Sequence, residues 1–224
     1  MTTKRTNWLA IWISAAVVVL LVAVGGIAVW MNNQATAPAE SPGSAVVDTR
    51  TGAIAIGEGD DVLDEYVDFM CPICGDFNDI YGETVRDLVA AGELTLNLHP
   101  ISILDRYSQG TEYSTRAAAA TYCVADANPD AVYPFFESLY ANQPAEGSTG
   151  LTDEQLIGYA ADAGAGDAES CIADGEYRDY VAQITEETPV QPGAGGIGTP
   201  TVLLNGEFVS LTGDPEADIA SRVR

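Results

Sequence analysis

FMCPICGDF, Phe69 to Phe77, separates two cysteines by only two residues and puts a proline directly after the first. Three chemistries use that spacing: half of a zinc site, a short structural disulfide, or a redox-active dithiol. Zinc needs four ligands. The remaining candidates are Cys123, Cys171 and His99, and none of them forms a second closely spaced pair. A disulfide across two residues closes so short a loop that it removes little entropy from the unfolded chain. The flanking residues favour the dithiol. DVLDEYVDF, Asp61 to Phe69, alternates and is rich in strand formers. DFNDIYGETVRDLVAAG, Asp76 to Gly92, carries Phe77, Ile80, Tyr81, Val85, Leu88 and Val89 at helical spacing, with Gly92 to end the helix. Cys71 is therefore expected where a strand ends and a helix begins. Pro72 falls in the first helical turn, where its missing N–H is harmless. Free N–H groups and the positive end of the helix dipole stabilise a thiolate there. This reading makes Cys71 an exposed nucleophile of lowered pKa and Cys74, one turn in, the resolving thiol.

The pattern extends in both directions. SAVVDT and AIAIG are short β-type stretches before the pair, and ELTLNLHP, Glu93 to Pro100, is a strand after the helix. Strand, helix, strand implies a parallel pair with a crossover. From about residue 111 to 188 the pattern is helical, through TEYSTRAAAATYCVADA, PDAVYPFFESLYANQ, LTDEQLIGYAADAG and DAESCIADGEYRDYVAQITEET. The stripe Tyr133, Phe136, Leu139 and Tyr140 reads as core, with a substrate groove as the alternative. PVQPGAGGIG is a loop, and TPTVLLNGEFVSL is a hairpin turning at Asn205-Gly206. DPEADIASRVR starts a short helix at Asp214 with Pro215 in its first position. The expected fold is α/β, a helical insertion between two halves of one sheet.

Two further residues acquire a meaning beside the dithiol. Alternation puts Glu65 on one strand face with Leu63, Val67 and Phe69. An acid among apolar neighbours has a raised pKa and suits a proton relay for Cys74; the alternative is a solvated acid at a strand edge. Thr199-Pro200 opens the strand after the loop, an ordinary place for proline. A cis proline there would leave the Thr199 backbone free to pair with an extended peptide. His99 stands at a strand end and reads as a structural or surface residue.

The compartment is read from the N-terminus. Lys4 and Arg5 precede WLAIWISAAVVVLLVAVGGIAVWM, Trp8 to Met31, which carries no charge. As a helix it would span about 36 Å, against a hydrocarbon core of about 30 Å. Trp8 and Trp30 suit the two interfaces, and the flanking cations put residues 1–7 in the cytoplasm and the rest outside. The competing reading is a cleaved signal, at Ala35-Thr36-Ala37 or Ala37-Pro38-Ala39; the run is long for one. Residues 32–44 then read as a flexible tether and 45–224 as the folded domain. The net charge of −24 disfavours nucleic acid as a partner.

FMCPICGDF after a strand, GTPTVLLNG near the C-terminus and the helical block between them resemble the DsbA-like branch of the thioredoxin fold, in its membrane-anchored actinobacterial form. The resemblance covers roughly Ala45 to Arg224. It implies an extracytoplasmic thiol:disulfide oxidoreductase with Cys71 as nucleophile, Cys74 as resolving cysteine, Thr199-Pro200 as a cis-proline substrate loop and Glu65 as buried acid. It also implies a structural disulfide between Cys123 and Cys171; a second redox pair and free buried thiols are the alternatives. The implied partners are reduced or unfolded secreted polypeptides and a membrane-embedded protein that reoxidises the pair. The implied cofactors and metals are none. One position departs from the pattern: strongly oxidising members carry CPHC, whereas Ile73 stands here. Isoleucine cannot help hold a thiolate, which suggests a weaker oxidant, or a reductase or isomerase. A non-enzymatic binding or chaperone module is the remaining alternative.

Overall fold

The computed structural model describes residues 8–35 and 39–224. It divides the chain into a first unit ending at Pro38 and a second, Ala39–Arg224. The first contains one helix, α1, Trp8–Ala35, whose described apolar side chains are exposed. Among the described residues no helix is long and apolar enough to cross a membrane; within α1 the side chains described without interruption are those of residues 15–31. The expected cytoplasmic segment 1–7 lies outside the described residues, as do 36–38 of the tether and with them part of both candidate cleavage sites.

The tether differs from expectation at both described ends. Residues 32–35 continue α1. Residues 39–44 are held against the folded unit: the Ala39 N–H donates to Gln183 Oε1 at 3.2 Å, and the Gly43 and Ser44 N–H groups donate to the Asp126 carboxylate at 3.2 and 2.7 Å. The stretch has no apolar pattern to reveal this, because its own backbone N–H groups meet side-chain acceptors elsewhere in the chain.

Six strands form one sheet in the order β1-β2-β4-β3-β5-β6. They are β1 Val47–Asp48, β2 Ala53–Ile56, β3 Asp61–Val67, β4 Leu94–Pro100, β5 Thr201–Leu204 and β6 Glu207–Phe208. β3 and β4 are parallel, linked by α2, Pro72–Ala90; all other neighbours are antiparallel. Asn205 and Gly206 turn between β5 and β6 with φ of 54° and 79°, the left-handed pair a two-residue hairpin requires. Leu63, Leu94, Leu96, Val202 and Leu204 bury one sheet region against Phe77, Tyr81 and Val85 of α2.

The insertion packs α3 Tyr113–Ala127, α4 Val132–Ala141, α5 Asp153–Asp162, α6 Glu169–Asp174 and α7 Arg178–Glu186. Ala117 to Ala120 of α3 are all buried, and side chains this small let neighbouring helices come close. α5 starts with a reciprocal cap between Thr152 and Gln155. Phe136, Leu139 and Tyr140 are buried and Tyr133 is partly so, which makes the aromatic stripe core. Cys123 of α3 and Cys171 of α6 form a disulfide with Cα atoms 5.7 Å apart. The terminal helix, α8 Pro215–Asp218, is one turn capped by Asp214.

His99 belongs to the other sheet face. It stacks on Tyr66 at 3.9 Å, with Nε2 3.0 Å from Asp64 Oδ1 and Nδ1 3.3 Å from the Thr51 carbonyl oxygen. The buried ring is thus held by stacking and by acceptors at both nitrogens, away from the cysteine pair in sequence and opposite Tyr66 in strand register.

Candidate active site

The Cys71 site is built where β3 hands over to α2. Cys71 is the N-cap, with extended backbone (φ −74°, ψ 115°), and Pro72 follows in the first turn. The turn before it is pinned by Asp68. Its carbonyl accepts the Cys71 N–H at 2.9 Å. Its Oδ1 accepts the Met70 N–H at 2.9 Å and the Ser114 hydroxyl at 2.7 Å. Its Oδ2 accepts the Ile103 and Leu104 N–H groups at 2.8 and 2.9 Å. Burial pushes the Asp68 pKa up, and these four hydrogen bonds oppose it. Sequence reasoning missed Asp68; the only signal was an acid set between Val67 and Phe69, three residues before Cys71.

Cys71 is 6% exposed, which corrects the expectation of an exposed nucleophile. The Thr199 carbonyl oxygen, at the entry to β5, accepts from Cys71 Sγ at 3.4 Å, and Cys71 belongs to the buried core cluster. The Cys71 pKa is nevertheless lowered to about 6. The largest cause is the hydrogen bond from the Cys74 thiol; burial opposes it, and the Thr199 side chain and the Cys74 and Ile73 N–H groups assist. Cys74 is fully buried, and that burial, with the neighbouring Cys71, pushes its pKa well above the ordinary thiol value. Both cysteines are free. Two thiols three positions apart are thus separated into a ready thiolate and a reluctant one, the asymmetry a mixed disulfide needs.

Glu65 lies on the Leu63 and Val67 face, paired across β3 with Leu98 and Val202. It is 3% exposed, and burial raises its pKa to about 8. Its Oε1 has no hydrogen-bond partner, and neither has the nearby buried Tyr140 hydroxyl. The solvated-acid alternative is therefore excluded by position. The Thr199–Pro200 peptide bond is cis. Ile73, Pro192, Thr199, Pro200, Phe208 and Leu211 line an open groove of about 510 Å³ beside Cys71, and Ile73 is 63% exposed at its rim. Among the described residues no group of three or more His, Cys, Asp or Glu side chains is placed to hold a metal ion.

Residues 49–218 match the family model described as thioredoxin. Among curated proteins, the serine/threonine-protein kinase PknE of Mycobacterium tuberculosis is 33% identical over 159 residues, 68% of this chain. The chain spans only 28% of that kinase's length. Among solved structures, oxidised DsbA of M. tuberculosis is 32% identical with a TM-score of 0.67, covering 75% of this chain and 90% of that one. Reduced DsbG of the same organism is 31% identical with a TM-score of 0.64, covering 75% and 85%. MdbA of Corynebacterium matruchotii is similar in fold, at 23% identity and a TM-score of 0.65, covering 84% and 93%. With a low-pKa cysteine over a buried one at a strand-to-helix junction, and this family match over most of the folded unit, the chain belongs to the thioredoxin family, among its DsbA-like thiol-disulfide oxidoreductases.

Proposed function

We propose that the protein oxidises cysteine pairs of reduced, secreted polypeptides outside the cytoplasm. A substrate thiolate attacks Cys71 Sγ of the oxidised enzyme. The Cys71–Cys74 bond breaks, a mixed disulfide forms, and Cys74 leaves as a thiolate that takes a proton relayed from Glu65. The second substrate thiolate then attacks its own half of the mixed disulfide and releases Cys71. Two electrons pass from substrate to enzyme, and a membrane-embedded partner removes them. The Thr199 backbone, beside Cys71, holds the substrate segment in extended form. The two sulfurs suffice for this chemistry without a cofactor.

The observation that carries this reading is the lowered Cys71 pKa above a buried Cys74, because a good leaving thiolate favours the reduced enzyme and hence oxidation of the substrate. Anchoring by α1 in the membrane rests on the sequence: the uncharged run 8–31 with two cations before it and tryptophans at its ends. Ile73 favours a second reading, a reductase or isomerase, since it offers the thiolate no side-chain donor.

Equilibration of the soluble domain with glutathione, read by thiol labelling, decides the direction. A potential near that of DsbA, about −120 mV, supports the oxidase; one near that of thioredoxin, about −270 mV, replaces it with the reductive reading.

A further inference from the structure

Gln143 follows α4 in the helical insertion and nevertheless reaches the catalytic turn. Its Nε2 donates to the Cys71 carbonyl oxygen at 2.8 Å and to the Phe69 carbonyl oxygen at 3.2 Å. Both partners are acceptors, so the amide orientation is fixed by chemistry. Gly75, one turn into α2, makes the approach possible: a β-carbon there would collide with Gln143 Oε1. We propose that Gln143 is a positioning residue for the Cys71 thiolate, competing for the Cys71 carbonyl so that the Cys74 N–H is held there less tightly and is shared with the sulfur.

Three donors converge on that one carbonyl oxygen. They are Gln143 Nε2 at 2.8 Å, the Cys74 N–H at 3.1 Å and the Gly75 N–H at 3.3 Å. A carbonyl oxygen has two lone pairs. The shortest and least constrained of the three bonds is the one from the insertion. It weakens the intraturn bond of the Cys74 N–H, which is also one of the groups that stabilise the Cys71 thiolate. Removing the Gln143 amide strengthens the existing bond from the Cys74 N–H to the carbonyl and weakens that N–H as a donor to the sulfur. Ser114 of α3 donates to Asp68 in the same turn, so two segments of the insertion hold the cysteine turn, and of these Gln143 is the one that donates to the Cys71 carbonyl. The insertion thereby does more than cover the site.

This inference rests on Cys71 being the nucleophile of the proposed reaction, and its test can fail separately. The Cys71 thiolate is titrated by ultraviolet absorbance in the reduced protein, in wild type and in Gln143→Met, which keeps the length and loses the donor. The expected result is a rise of the Cys71 pKa by about one pH unit, so that the thiolate fraction at pH 6 falls about fivefold, with the glutathione equilibrium moved toward the disulfide. An unchanged titration in a folded variant, judged by near-ultraviolet circular dichroism, overturns the proposal. Should Gln143→Met fail to fold, Gly75→Ala carries the test, because the added methyl displaces the Gln143 amide while the glutamine itself is kept; the same rise or its absence decides. A wild-type protein that does not oxidise a reduced test protein would remove the proposed function and leave the titration readable.

Discussion

The two cysteine pairs share one hydrophobic cluster, yet their chemistry differs. Cys123 and Cys171 join α3 to α6, 48 residues apart, and form a disulfide. Cys71 and Cys74 stand three residues apart at the start of α2, after the turn that Asp68 pins, with the Thr199 carbonyl against the Cys71 sulfur, and are free. Cys71, Cys74 and Cys123 are buried and Cys171 is partly so. What separates the pairs is the presence of polar groups around Cys71 and Cys74: helix N–H donors, a carbonyl over the Cys71 sulfur and the Tyr140 hydroxyl, which has no hydrogen-bond partner. The surroundings, more than the residue type, decide whether a buried sulfur is a staple or a reagent.

That contrast can be broken most severely at Cys71. Cys71→Ser should reduce turnover of a dithiol substrate by ~10³-fold or more, while Cys123→Ala with Cys171→Ala leaves the rate of the folded enzyme near wild type. Cys74→Ser should instead accumulate a mixed disulfide visible on a non-reducing gel. A Cys71→Ser protein that kept its function would favour a binding module over an enzyme. Next in size is stability. Opening the loop of 48 residues should lower the unfolding free energy by about 4 kcal/mol in denaturant titration. A loss under about 1 kcal/mol would mean that the helices of the insertion hold α6 without the bridge.

Glu65 sharpens the comparison from the side of the acid. Its folded pKa of about 8 lies above the ordinary 4.5, so its favourable contribution is complete below pH 4.5 and is lost as the pH rises through 8. The stability advantage of Glu65→Gln over wild type should therefore grow by about 3 kcal/mol between pH 4 and pH 7. The same variant should slow release of the resolving thiol; an unchanged rate would remove Glu65 from the relay. The smallest effect belongs to Cys71. Its folded pKa of about 6 lies below the ordinary 9.0, so the reduced protein gains stability that is complete above pH 9 and is lost as the pH falls through 6. Between pH 5 and pH 7 the reduced form should gain about 1 kcal/mol over the oxidised form, measurable by paired denaturant titrations.

Much of this architecture was legible in local pattern. The period-2 run before Cys71 and the helical spacing after it located β3 and α2, Pro72 marked the start of α2, and Asn205-Gly206 marked the hairpin between β5 and β6. Alternation alone put Glu65 on an apolar face. The resemblance supplied the pairing of Cys123 with Cys171. The tether was misread because Ala39 to Ser44 owe their order to Gln183 and Asp126, far away in the chain. Asp68 and Gln143 escaped for the same reason: neither has a periodicity, and each matters through backbone groups brought to it by other elements.

Periodicity, turn chemistry and spacing are properties of neighbours along the chain, and they were enough to identify a strand–dithiol–helix unit and an inserted helical block. The degree of cover over Cys71, the gap between the two thiol pKa values and the reach of Gln143 into the catalytic turn depend on residues 128 and 72 positions away from Cys71. Such contacts exist only once the sheet has brought Thr199 to β3 and the insertion has packed α4 against the turn, because hydrogen bonds and burial act over a few ångströms whatever the distance along the chain.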